Sequence, residues 1–141
     1  MRVFLDTNVL IDVIAEREPF YADSAPIWTL AEQGRVTGLI SAISFTNVYY
    51  VVRRLNDVTR ARRALHLLRN VFQVAPCDQQ VISQAIEAKF KDFEDAVQYV
   101  SAIRVDADCL VSRNPGHFPT AEDCPVLTPA EFLAAYQLPD A

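Results

Sequence analysis

Apolar runs of three to five residues recur along this chain, each separated from the next by one or two helix-length segments. That alternation constrains the fold more than any other feature. Runs this short and this apolar suit buried strands, and helices between them supply the crossovers that parallel strands require. The runs are Arg2 to Leu5, Val36 to Ile40, Phe72 to Ala75, Cys109 to Val111 and Pro125 to Leu127. Between them the spacing predicts helices over Val9 to Glu16, about Phe20 to Gln33 with Gly34 ending it, Ser44 to Leu55, Val58 to Val71, and Glu94 to Val105. Asp78 is the expected N-cap of a further helix with Val81, Ile82, Ala85 and Ile86 on one face, and Thr128 that of a last helix with Pro129 at its first position. The pattern is that of an α/β fold with a mainly parallel sheet and helices on both faces. The 141 residues suit a single domain over 1–141, and no repeat or linker divides them.

Composition narrows the function classes. The net charge of −5 opposes a general affinity for nucleic acid but allows a local basic face. Such a face is visible: Arg53, Arg54, Arg60, Arg62, Arg63 and Arg69 cluster in a window whose one acid is Asp57. It suits a phosphate-tracking surface, a solvated helix face or a surface for an acidic partner. Tyr49 and Tyr50 lie just before it, one expected in the core and one on a groove or dimer surface. Cys77, Cys109 and Cys124 are odd in number and far apart, which argues against a zinc site or a disulfide framework. No signal peptide or membrane-length apolar run is visible, so the expectation is a soluble cytoplasmic protein.

In parallel sheets, sites lie beyond the carboxyl ends of the strands. Three polar clusters fall at strand ends or helix starts: Asp6 and Asn8 after the first strand, Asp92, Glu94 and Asp95 in "KDFEDAVQY", and Ser112 and Asn114 in "LVSRNPGHF". Together their oxygens would suit a hard divalent cation such as Mg²⁺. Each alone also has a plainer reading. Asp6 and Asn8 are good helix caps, the acids before the long helix favour its N-terminal dipole, and Asn114 before Pro115 is an ordinary turn residue.

"VFLDTNVLID", "DFEDAVQYVSA" and "CLVSRNPGHF", in this order and spacing, resemble the PIN-domain nucleases, many of them toxins of toxin–antitoxin pairs. The resemblance extends to the closing "PVLTPAEFL". It implies a Rossmann-like three-layer α/β/α sandwich and Mg²⁺- or Mn²⁺-dependent cleavage of single-stranded RNA. It also implies a homodimer and a small antitoxin partner. Carried over by position, Asp6 looks like the first metal-binding acid and Asp95 like the acid opening the long helix. Asn114 takes the place of a fourth site residue, Asn8 that of a residue supporting Asp6, and Ser112 stands where Thr or Ser is usual. The catalytic set is then Asp6, Asp95 and Asn114, with Asp6, Asp95 and Asp92 toward the metal.

The sequence departs from that pattern at two places. Asn47, in "SAISFTNVYYVV", fills the position of a second acid, and it can hydrogen-bond but supplies no charge. Asp92, three residues before Asp95, is the expected compensation, with Glu94 pointing elsewhere and Asp12 at the surface. His117 stands where many relatives carry an acid; a phosphate contact, an acid–base role and a surface position are all open to it. Arg53, Arg54, Arg60, Arg63 and Arg113 are the candidate RNA contacts. Two rivals stand beside this reading. One is a PIN-like domain that binds RNA or protein and cuts nothing. The other is a phosphohydrolase with an aspartyl nucleophile, resembling haloacid-dehalogenase-like enzymes; there Asn8 would replace the general acid, and neither lysine, Lys89 or Lys91, makes a convincing partner.

Overall fold

Five strands, every pairing parallel, form one sheet in the order β3-β2-β1-β4-β5. They are β1 (Arg2–Leu5), β2 (Thr37–Ser41), β3 (Gln73–Ala75), β4 (Cys109–Val111) and β5 (Val126–Leu127). The structure, a computed structural model, describes residues 1–120 and 123–136. The helices are α1 (Thr7–Ile14), α2 (Tyr21–Glu32), α3 (Ile43–Leu55), α4 (Val58–Val71), α5 (Gln79–Glu87), α6 (Phe93–Arg104) and α7 (Pro129–Ala135). A single 3₁₀ turn, Pro115–His117, occupies the loop expected at "NPGHFP".

Strand alternation sorts the core into two layers. Val3 and Leu5 of β1, with Ile40, Cys109 and Val111, pack against apolar residues of α1, α2, α3, α4 and α7. Phe4, Leu39, Ala75 and Leu110 face the other way, onto Ala102 of α6. Beyond them Val81 and Ala85 of α5 meet Ala96, Val97 and Val100 of α6. The result is helices on both sides of a buried parallel sheet, the expected three-layer sandwich.

Four of the seven described α-helices begin where a side chain caps them. Asp57, Asp78, Asp92 and Thr128 each accept a backbone N–H of the first turn, and Thr128 forms a reciprocal capping box with Glu131. The first helix starts at Thr7, two residues earlier than the apolar pattern indicates, because the extended residue before it is Asp6 itself. The apolar stripes are narrower than expected at two ends: Leu55 is 54% and Ile86 60% exposed. Tyr49 packs on the core and Tyr50 is exposed, as expected for that pair.

Gly38 of β2 is required by a close approach. A Cβ there would lie 2.5 Å from Cδ1 of Phe72 and 2.9 Å from Cβ of Ala31. Phe72 in turn meets Trp28 edge-on, with ring centroids 4.9 Å apart. The absence of one methyl group thus seats α2 and the entry to β3 against the sheet.

Candidate active site

The carboxyl ends of β1 and β4 are neighbours, and the backbone N–H of Asp6 donates to the carbonyl of Val111 at 3.0 Å. This brings Asp6 beside Ser112, although 106 residues separate them in sequence. Asp6 occupies the N-cap position of α1, yet its side chain makes no capping hydrogen bond. Its Oδ2 instead accepts the Ser112 hydroxyl at 2.8 Å. Asp6 is 3% exposed and Ser112 wholly buried. The Ser112 oxygen also accepts the backbone N–H of Asn114 at 3.1 Å, so the hydroxyl proton is directed onto Asp6. Burial pushes the Asp6 carboxyl up to about 6, Ser112 pulls it down, and the nearby charges of Asp95 and Glu94 raise it again.

Two of these acids come from the first turn of α6. Asp92 caps that helix by accepting the Asp95 N–H at 3.0 Å. Burial and the Asp92 charge raise the Asp95 carboxyl, while His117, whose Nδ1 lies 3.3 Å from Asp95 Oδ2, lowers it. Glu94 accepts the Asn47 side-chain amide at 3.1 Å. Its carboxyl is also raised, by burial first and then by Asp92, with hydrogen bonds from Thr7 and Asn47 opposing. Beneath lies a buried polar layer in which Thr7 and Ser44 share a 2.8 Å hydrogen bond and Gln98 donates to Thr7 at 2.9 Å. One residue from each of α1, α3 and α6 is thereby tied together under the carboxylates.

The structure corrects several sequence expectations. Glu94 does not point away: it stands in the acidic cluster, on the amide of Asn47, which occupies the position of the expected second acid. Asp92 does not share a helical face with Asp95; its backbone is extended, and Oδ1 is spent on the cap. Asp12 is no surface acid but wholly buried, and Arg113 lies across it with Nε 2.7 Å from Oδ2. That ion pair is close without being aligned as a hydrogen bond, and the Arg113 guanidinium also stacks over Phe20 at 4.2 Å. Arg113 is therefore committed within the fold and is not a free RNA contact. A signal for Asp12 was available: it is the one acid in the apolar stretch "NVLIDVI", where an exposed residue has no natural face.

Asn114 is exposed and reaches Asp6 through its backbone and Ser112. Among the described residues no hydrogen bond joins the Asn8 side chain to Asp6. Arg53, Arg54, Arg60 and Arg63 are exposed on α3 and α4. Arg60 and Arg63 line a groove with Ile14, at the opposite end of α1 from Asp6. An eight-residue helix spans about 12 Å, so this groove and the acidic cluster are separate places.

Asp6, Glu94 and Asp95 thus form a cluster in which Asp95 and Glu94 raise Asp6, Asp95 raises Glu94, and Asp92 raises both acids of α6. Among the described residues no Lys or Arg lies within 4 Å of any of the three, and the His117 imidazole, beside Asp95, is the one basic side chain that does. No group of three or more His, Cys, Asp or Glu among the described residues is drawn to ligating distance. Mg²⁺ needs only one or two carboxylates and fills its remaining positions with water, so the donor set fits a hard divalent cation.

A model of the PIN domain family matches residues 2–115. Ribonuclease VapC1 of Aquifex aeolicus (strain VF5) is 29% identical over 136 residues, covering 93% of this chain and 92% of the relative. Among solved structures, a toxin-antitoxin complex from Klebsiella pneumoniae superposes with a TM-score of 0.67 at 21% identity, covering 90% of this chain and 97% of that one. VapBC-1 from nontypeable Haemophilus influenzae gives 0.66 at 17% identity, with 92% and 99% covered. Mycobacterium tuberculosis VapC20, a Sarcin-Ricin loop cleaving toxin, gives 0.64 at 14% identity, with 77% and 86% covered. These structural likenesses bear on the fold; the family match, spanning most of the chain and both strand ends that build the acidic cluster, makes this chain a member of the PIN domain family.

Proposed function

We propose that this protein is a metal-dependent endoribonuclease that hydrolyses phosphodiesters of single-stranded RNA, and that it is the toxin of a toxin–antitoxin pair. The observation that carries the reading is the buried Asp6 carboxyl, held by Ser112 and crowded by Glu94 and Asp95 with no Lys or Arg to neutralise them. Such an arrangement is costly unless a cation completes it. A bound Mg²⁺ or Mn²⁺ would neutralise phosphate charge and lower the pKa of an attacking water.

The chain's residues divide the remaining work. Asp6 and Asp95 hold the cation, and Glu94 supplies the carboxylate that Asn47 lacks. Asn47 positions Glu94 through its amide, and Ser112 fixes the Asp6 oxygen. Asp92 sets the start of α6 and adds negative charge. His117, exposed beside the cluster with Nδ1 3.3 Å from Asp95 Oδ2, is the side chain assigned to meet a phosphate oxygen of the substrate. Supplying the acid from α6 favours catalysis over the reading in which Asn47 leaves a domain that only binds.

The named toxin complexes among the structural relatives support a small antitoxin protein as partner, and the resemblance supports a homodimer; the cytoplasm is proposed as its compartment. No helix among the described residues is long and apolar enough to cross a membrane. The test is cleavage of an end-labelled single-stranded RNA with Mn²⁺ or Mg²⁺, with a duplex of the same sequence as control. The single strand is cut, EDTA stops the reaction, and Asp6→Asn or Asp95→Asn lowers the rate at least a hundredfold with the fold retained. Cleavage that persists in both variants sinks the mechanism.

A further inference from the structure

A cavity of about 670 Å³ opens beside the acidic cluster and combines groups of opposite character. Asp92 and Asp95 line its inner side, and Phe90 and Pro119 add apolar surface. Lys89, Lys91 and His117 complete the wall. Lys89 and Lys91 are the chain's two lysines, and both line this one cavity. Neither pairs with a carboxylate within 4 Å among the described residues. Two exposed ammonium groups beside an acidic pocket are an arrangement suited to a polyanion that must pass the carboxylates.

A second observation concerns the backbone. Lys89 follows the C-cap of α5 with φ at +55°, the left-handed position that usually ends a helix with glycine. A lysine there is conformationally costly, and its Cβ gives the helix end nothing that glycine lacks. Glu16 and Asp106 follow the C-caps of α1 and α6 in the same conformation, so what sets Lys89 apart is its place in the cavity wall beside Lys91. The volume is in the range of small-molecule sites, and Phe90 offers an aromatic surface for a base.

We infer that Lys89 and Lys91 form a phosphate subsite that holds the RNA strand one nucleotide from the phosphodiester being cut. The inference rests on the ribonuclease reading and deepens it. It assigns the substrate path to the loop between α5 and α6, not to the arginines of α3 and α4.

The experiment compares wild type, Lys89→Gly, Lys91→Ala and the double variant in steady-state cleavage of a short single-stranded RNA with Mn²⁺. Thermal midpoints and Mn²⁺ titrations are recorded on the same proteins. The double variant is expected to raise KM about tenfold with kcat within twofold and Mn²⁺ affinity unchanged. The slope of log kcat/KM against log salt falls by about 0.7 for one lost single-strand phosphate contact. Lys89→Gly, by relieving the left-handed lysine, raises the thermal midpoint by about 3 °C while weakening the substrate. If wild type cleaves RNA and the double variant matches it in KM and salt slope, the subsite is wrong and the ribonuclease reading stands. If wild type neither cleaves RNA nor binds Mn²⁺, the ribonuclease reading fails instead. Metal-free fluorescence polarisation with the same oligonucleotide then decides the subsite: weaker binding by the double variant supports it, and equal binding overturns it.

Discussion

Ser112 donates its hydroxyl to Asp6 at 2.8 Å, across the seam between β4 and β1, while Asp6 leaves uncapped the helix that it begins. A capping aspartate would turn its oxygen toward the N–H groups of the first turn. This one gives that up to face a partner 106 residues away and two other carboxylates. The choice costs stability, and that cost is measurable.

Asp6→Asn should stabilise the metal-free protein at neutral pH while removing activity. In the native state the carboxyl is pushed up to about 6 from an ordinary value near 3.8. Between those values the native state binds the extra proton, so this group's contribution to stability falls as pH rises from about 4 to about 6 and stays low above. The shift corresponds to roughly 3 kcal/mol at most. Guanidinium denaturation in EDTA should find Asp6→Asn more stable than wild type at pH 8 and nearly equal at pH 4. Ser112→Ala removes a lowering influence and should move the acid limb of the metal-free titration upward.

Exchanging the partners of the Asn47–Glu94 hydrogen bond tests whether one carboxylate is wanted in this corner, whichever helix brings it. Asn47→Glu alone places two acids where an amide met one, and should weaken the metal-free protein by about 1 kcal/mol at pH 8. Glu94→Gln alone should weaken Mn²⁺ binding about tenfold, since affinity follows ligand charge. The double exchange Asn47→Glu with Glu94→Gln restores both the pair and the charge. Mn²⁺ affinity in the double variant near that of wild type is the expected result, and affinity no better than Glu94→Gln alone counts against it.

Arg113→Ala should be among the more damaging single changes outside the acidic cluster. It leaves the wholly buried Asp12 without its counter-charge and strips Phe20 of its stacked cation. Breaking a buried pair in this way costs about 3 kcal/mol. Burial already raises the Asp12 carboxyl more than Arg113 lowers it, so the unpaired acid is tolerated when protonated and penalised as pH rises. Denaturation should show the loss growing from pH 5 to pH 8, and Asp12→Asn in the same chain recovering most of it.

Much of this organisation was legible in the sequence, and the limits have a physical pattern. The short strands, the basic helix Val58–Val71 and the caps Asp78 and Thr128 are local: apolar spacing and one side chain decide each. Asp6 and Asp95 could be picked out because strand ends and helix starts of a parallel sheet converge. What stayed hidden depends on pairs far apart in the chain. Glu94, though exposed, joins the cluster because Asn47 and Thr7 meet it, and Asp12 is buried because Arg113 returns from β4 to cover it. Helical spacing alone points Glu94 away from Asp92 and Asp95 and places Asp12 at the surface.

Gly38→Ala is the corresponding test of the sheet. The added methyl meets Phe72 and Ala31 at distances that one side or the other must yield. Overpacking of this sort costs about 1–3 kcal/mol. Because Gly38 lies on β2 away from the acidic cluster, the variant should lose thermal stability while keeping Mn²⁺ affinity, as read by calorimetry below its unfolding range.

The central position of β1 has a consequence for synthesis. Of the five described strands the first to be synthesised is the middle one of the sheet, and its second neighbour, β4, begins only at Cys109. Until then Asp6 has neither the Val111 carbonyl nor the Ser112 hydroxyl, and Asp95 has no frame against which to set α6. A nascent chain therefore carries Asp6 through 106 further residues before Ser112 is made, whereas Glu94 and Asp95 are made only shortly before β4. Strand order, and not the early synthesis of Asp6, therefore sets when the acidic cluster can form.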